Sequence, residues 1–493
     1  MGLVVDHDQG NQAHLGCKPP NGVGREPRGA SLDETSSPVS FCQAVTKRII
    51  LQGGTLITLD QKSAIRRADL LIEDDRIAEI GGEYHDGELI DCRDKLILPG
   101  LVQAHVHLCQ ALFRGLAEET DLLSWLSEKI WPLEAAHSRE SLATSSRLGL
   151  LEMIRSGTTT ICDMGSLAYP EAIAEVVKET GVRAVVSKLL MDTQEGAPGT
   201  LLEPAREGMA AAQELHDQFH GKENGRIRVA VAPRFVLSCS RELLEQVARF
   251  SEEREALVHT HLNESQREVE STEKMLGQPT VAYFDSLGLL NPRFVAAHGV
   301  WLNDKERLLL AERGANIVHC PTTNLKLASG ICDTRALMDA GVTVGLGSDG
   351  LPCNNRADGF SEMRTAGLVS RYLRGPESLS SKEIVRMATI GGARALGLER
   401  EIGSLEPGKK ADLTVLRSEG AEGVLLPHSD PYDALVYQFS SSQVVHVFVD
   451  GKPILKDARY TTLNEEEIIH AAQTERPDLI RRANLSLAPP RST

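Results

Sequence analysis

No apolar run in this chain approaches the roughly 20 residues that a membrane-spanning helix needs, and the first residues lack the charged-then-apolar order of a signal peptide. Basic runs are missing as well. Lys and Arg total 53 against 69 Asp and Glu, and the resulting formal charge of −16 argues against a nucleic-acid partner and for a self-repelling surface. CxxC pairs are also absent. The nine cysteines (Cys17, Cys42, Cys92, Cys109, Cys162, Cys239, Cys320, Cys332, Cys353) are odd in number and scattered, which points away from a disulfide framework and toward reduced thiols in a cytoplasm. What is there is length. At 493 residues the chain is too long for one small domain, and a closed barrel with an appended sandwich accounts for it.

Residues 1–45, centred on PPNGVGREPRGASLDETSSP, carry too little apolar surface to offset ordering entropy and read as a disordered extension. From Lys47 the pattern turns to short β-rich runs, RIILQGGTLITL, ADLLIEDDRIAEI and ELIDC, which suggest a small antiparallel sheet. IGSLEPGKKADLTVL and VVHVFVDGKPIL near the other end repeat this texture, so segments 46–98 and 401–470 are expected to share one β-sandwich. Residues 471–493 are expected to form a C-terminal helix and tail. Between the two halves of the sandwich, eight apolar segments alternate with helical patterns: LVQAHVHL, TTTICDM, RAVVSKLLMD, IRVAVAPRF, ALVHTHLNE, FVAAHG, NIVHCP and VTVGLGSDG. Eight such units over 99–400 imply an α/β fold, a (β/α)8 TIM-like barrel whose chemistry sits at the C-terminal strand ends.

Polar residues gather at those ends. His105 and His107, two apart on a strand, share a face, and a pair of neutral imidazoles there can begin a divalent-metal site or be two polar strand residues. Strand five adds His261 as a third imidazole and Glu264, three residues on, as an acid/base carboxylate. His259 shares the face of His261 but lies deeper, and is read as a core side chain. Strand six offers His298. Strand eight offers Asp349 among small residues that let a metal or substrate approach closely. His319 on strand seven is read as structural.

The ordered set PGLVQAHVHL, RSGTTTICDM, HTHLNE, AAHG, HCPTTNLKLASG, GLGSDGLPCNN and EIGSLEPGKKADLTVL resembles the amidohydrolase superfamily, in its cytosine deaminase-like branch, from about residue 47 to 470. The resemblance implies a mononuclear site in which His105, His107, His261 and Asp349 bind Zn²⁺, with Fe²⁺ as the other candidate. It gives Glu264, His298 and Asp349 the catalytic work. IRVAVAPRF contains no Lys, the residue that bridges two metals in binuclear relatives, which favours one metal. Gln110, Arg234 and Phe235 look like the guanine deaminase pattern for reading and stacking a purine. Glu134 matches a carboxylate that binds ribose hydroxyls, and Asn324, Asn354 and Asn355 are expected at the rim. The implied activity is hydrolytic deamination of an aminopurine, foremost a 5'-modified adenosine (5'-deoxyadenosine, methylthioadenosine or S-adenosylhomocysteine). Guanine deamination, s-triazine amino- or chlorohydrolysis and a binding-only barrel are the alternatives. The expected partner is a small heterocyclic amine, with no nucleic acid and no membrane, and homo-oligomers are common in the family.

Overall fold

The computed structural model describes residues 46–193, 197–421, 423 and 426–485, so the expected N-terminal extension and the last eight residues lie outside the described residues. Eight parallel strands form the barrel: β1 (Leu101–His107), β2 (Thr158–Ser166), β3 (Arg183–Leu190), β4 (Ile227–Pro233), β5 (Val258–Leu262), β6 (Phe294–His298), β7 (Asn316–His319) and β8 (Thr343–Leu346, resuming at Asp349–Gly350). Seven fall inside the eight apolar segments, and β2 runs two residues past the end of TTTICDM. Strands covered on both faces read as continuous apolar runs, and β1, β2 and β3 are buried along their whole length.

The order runs β1 to β8 without interruption, and the ring closes because Asp349 pairs with Val106 and Gly350 with His107. That closure depends on Gly347. A Cβ there would sit 2.6 Å from the His105 carbonyl oxygen and 3.0 Å from its Cβ, so only glycine lets strand eight pass this close to strand one. Inside, Val102, Ala104, Cys162, Val185, Ala230, Val295 and Val318 from successive strands pack into one cluster. The intervening helices start where the sequence caps them. Ser138 forms a capping box with Ser141 ahead of Arg139–Arg155, and Ser240 accepts from the backbone N–H of Leu243 ahead of Arg241–Arg254.

A second nine-stranded sheet is built from both chain ends, with Lys95–Pro99 lying between Arg48–Ile57 and Leu413–Arg417. Ile49, Leu51, Leu70 and Ile72 from its first strands share a core with Leu413, Val415 and Phe448 from its last. The sheet is mixed where an antiparallel one was expected. Arg48–Ile57 pairs parallel to both Glu88–Asp91 and Lys95–Pro99, because residues 58–94 include a third and fourth strand that return the chain in its original direction. The C-terminal helix spans Glu465–Arg482, capped by Asn464, so it begins ahead of the expected boundary at residue 471.

From residue 46 the described chain forms one compact unit. One buried ion cluster ties the two sheets together: Arg183 of β3 donates to Asp412 at 2.7 and 3.1 Å and to Asp450 at 2.5 Å, all three side chains being buried. Replacing Arg183 by Met leaves Asp412 without its cation and Asp450 with only Lys410, 3.5 Å away, and should lower stability by about 3–5 kcal/mol, measured by chemical denaturation.

Candidate active site

The two β1 imidazoles, His261 at the end of β5 and Asp349 of β8 converge at the C-terminal mouth of the barrel. His107 Nε2 lies 3.2 Å from His261 Nε2, and both His105 Nε2 and His107 Nε2 lie 3.3 Å from Asp349 Oδ1. The His105 ring stands edge-on to those of His107 and His261, which are stacked on each other. Burial lowers the pKa of His105, and pushes those of His107 and His261 well below the usual histidine value, so the three are neutral donors. Burial works against the Asp349 carboxylate, but the close approach of His105 and the other imidazoles around it holds its pKa well below the usual range.

This set fits a divalent cation. His261 Nδ1 lies 2.6 Å from the Arg234 carbonyl and donates to it, which leaves Nε2 as the lone pair turned to the centre. The buried Nε2 atoms of His105 and His298 have no hydrogen-bond partner. One ligand atom from each of His105, His107 and His261 falls within 4.8 Å of the others, as does one from each of His105, His298 and Asp349. A third grouping, His107 with Cys109 and Glu134, fits a metal poorly. Burial raises the Cys109 thiol far above its ordinary pKa, and the Glu134 carboxylate is already taken up by Arg234 and Gln110.

Beside the donor set stand Glu264 and His298. His298 Nε2 is 3.5 Å from Glu264 Oε2 and 3.8 Å from Asp349 Oδ2. Burial raises the Glu264 pKa well above the ordinary glutamate value, with the nearby charges of Asp349 and Glu268 adding to it. A carboxyl so placed holds a proton more readily than an exposed glutamate, which suits it to carry one. Asn263, His298 and Asp349, at or just beyond the ends of β5, β6 and β8, all adopt left-handed backbone with φ of 50°, 76° and 61°. Conformations of this kind cost energy in a non-glycine residue and gather at functional sites.

The cavity over this centre is lined by Gln110, Arg234, Phe235, Glu264 and Glu268, with Leu122, Trp125, Leu126 and Leu327 as its apolar wall. Three of the expected substrate-side residues are joined to one another. Arg234 donates to Glu134 at 2.6 and 3.3 Å, and Gln110 Nε2 donates to the same carboxylate at 2.8 Å. Gln110 Oε1 is buried without a partner, so an acceptor is left over at the cavity. Asn324 does not line the cavity. Its Oδ1 accepts from His298 Nδ1 at 2.9 Å, which orients the histidine from behind. Asn354 likewise is buried against Ser348 and Glu362, and is not at a rim.

One residue of the site, Glu268, was not anticipated from the sequence, and neither was the contact made by another, His259. Glu268 lines the cavity while its Oε2 accepts from the backbone N–H groups of Glu264 and Ser265, at 2.7 and 3.3 Å. Its signal is the S-x-x-E capping box in SQRE. His259 is in the core as expected, but it touches the site: its Nε2 lies 2.8 Å from His105 Nδ1. His319 is buried, and neither of its ring nitrogens has a hydrogen-bond partner.

A parallel eight-stranded barrel with neutral imidazoles, a buried aspartate and a high-pKa glutamate at its C-terminal mouth defines a metal-dependent hydrolase. The family model of the amidohydrolase family matches residues 96–454, and the chain belongs to that family. It is 38% identical over 419 residues to a 5'-deoxyadenosine deaminase of Methanothermobacter thermautotrophicus, covering 84% of this chain and 95% of the relative. It is 36% identical over 442 residues to a 5-methylthioadenosine/S-adenosylhomocysteine deaminase of Bacillus cereus, covering 87% and 98%. Among solved structures it is similar to a zinc-bound adenosine deaminase from Xanthomonas campestris, with a TM-score of 0.83 and 32% identity over 88% of this chain and 98% of that one.

Proposed function

We propose that this protein hydrolytically deaminates an aminopurine, foremost a 5'-modified adenosine such as 5'-deoxyadenosine, methylthioadenosine or S-adenosylhomocysteine, and releases ammonia. The observation that carries the reading is the meeting of His107, His261, Asp349, Glu264 and His298 at one cavity, with His105 3.3 Å from Asp349. His105, His107, His261 and Asp349 would hold one Zn²⁺. A bound divalent cation supplies Lewis acidity and lowers the pKa of water from 15.7 toward about 7. A single metal is favoured because β4 carries no lysine and Lys188 of β3 is spent elsewhere. Its ammonium donates to the carbonyls of Leu167 and Leu189 and to Glu203.

The protein side of the chemistry then follows from placement. Glu264 takes a proton from the attacking water and gives it to the ring nitrogen beside the amino-bearing carbon, which makes that carbon electrophilic. His298, oriented by Asn324, directs the incoming oxygen together with Asp349; the proton of the newly added hydroxyl then passes to the amino group, the C–N bond breaks, and ammonia leaves as the carbonyl forms. Phe235 stacks on the base, and Gln110 and Arg234 read its edge. The reaction belongs in the cytoplasm on this reading: the seven described cysteines are unpaired, and no helix among the described residues is long and apolar enough to cross a membrane.

One observation favours guanine as the second reading. Glu134, the residue matched to ribose binding, already accepts from both Arg234 and Gln110. The test is an ammonia-release assay of Zn²⁺-loaded protein on 5'-deoxyadenosine, methylthioadenosine, S-adenosylhomocysteine and guanine, with products separated by chromatography. The expected result is one ammonia per inosine-type product and a higher kcat/KM for the adenosines than for guanine. Turnover of guanine alone would select the second reading, and turnover of none would overturn both.

A further inference from the structure

His105 faces two ways. Its Nε2 lies 3.3 Å from Asp349 Oδ1 and points toward the donor cluster, while its Nδ1 lies 2.8 Å from His259 Nε2, deeper in the barrel. A neutral imidazole carries a single N–H. If Nε2 is to offer a lone pair to a cation, the proton must sit on Nδ1, and Nδ1–H must then donate to His259. His259 Nε2 is thereby the acceptor and must be bare, so the proton of His259 sits on its own Nδ1. That atom also has a place to donate: Cys162 Sγ is 3.4 Å away, and His259 is hydrogen-bonded to the Asp163 backbone as well. His105, His259 and Cys162 are each 0% exposed, so no solvent can substitute for any member of the chain.

We infer that His259 is a positioning residue for the metal site, fixing the tautomer and ring orientation of His105 through the buried relay Cys162–His259–His105. Packing alone does not account for it. Its register partner on β6 is Val295, and Val295 and Cys162 belong to an apolar cluster with Val185 and Ala230, so an apolar side chain would suit this place without needing a partner. His319 of β7 shows the contrast, a buried histidine with neither nitrogen hydrogen-bonded. Partners of this kind, which hold the far nitrogen of a ligating histidine, typically govern metal affinity by 10- to 100-fold.

The inference rests on the reading of His105 as a ligand, and the test separates the two. Zn²⁺ affinity is measured by competition with a chromogenic chelator for wild type, His105→Ala, His259→Phe and His259→Gln, together with the visible absorption of the Co²⁺-loaded proteins. His259→Phe should bind Zn²⁺ about 10- to 100-fold more weakly, with a shifted Co²⁺ band. His259→Gln, whose amide oxygen accepts where Nε2 did, should recover most of that loss. If His259→Phe does not fold, His259→Leu replaces it. Wild-type affinity and an unchanged band in the His259 variants, with metal lost in His105→Ala, would overturn the relay. Unchanged affinity in His105→Ala would overturn the ligand assignment and the relay with it.

Discussion

Glu264→Gln should lower kcat by about 10²–10⁴ while leaving KM within a few-fold and the metal content unchanged. Glutamine keeps the shape of the side chain and its 3.5 Å contact with Ser329 Oγ, so the cavity should not collapse. What it removes is the ability to hold a proton. In the native site that ability comes from burial, which raises the Glu264 pKa well above the ordinary carboxyl range, with Asp349 and Glu268 as the nearest like charges. Glu268 is fixed in place by the two backbone N–H groups it caps. Steady-state kinetics with metal analysis on the same preparation checks the prediction. Near-normal turnover in the metal-replete variant would remove Glu264 from the mechanism.

Asp349→Asn should lose both metal and activity. Asn tolerates the left-handed backbone at this position, where φ is 61°, and its amide oxygen can keep the 2.7 Å hydrogen bond from the Gly350 N–H. The strand closure against Val106 and His107 therefore survives, and only the anionic donor is removed. If the cation's Lewis acidity contributes several kcal/mol to the barrier, kcat/KM should fall by about 10³ or more. Metal content after gel filtration should drop in parallel. A variant that keeps full metal occupancy and full turnover would show that the carboxylate is not part of the donor set.

The barrel was readable because its strands are buried on both faces. They read as largely apolar runs that carry polar residues toward their C-terminal ends, as in FVAAHG, and His105, His107, His261, His298 and Asp349 from those ends are brought together. The parallel pairing of Arg48–Ile57 with Lys95–Pro99 was not readable, since a β-rich texture gives strands but not their partners. Contacts between distant positions were hidden for the same reason. Nothing local in IWPLE or APRF announces that Glu134 and Arg234 form a buried pair. Period-two spacing assigned His259 and His261 to one face, but could not tell that the deeper one meets His105. The expectation for Asn324 failed on direction: NLK ends a short helix, Pro321–Lys326, whose turn points the amide at His298 and away from the cavity.

The central claim is that one cation held by His105, His107, His261 and Asp349 makes this barrel a deaminase. Its most direct test is reconstitution: chelator-stripped protein titrated with Zn²⁺ while ammonia release from 5'-deoxyadenosine is followed. The account predicts negligible release from the stripped protein, a linear rise, and a plateau at one equivalent per chain. Full activity in the stripped protein, or a plateau only at two equivalents, would contradict it.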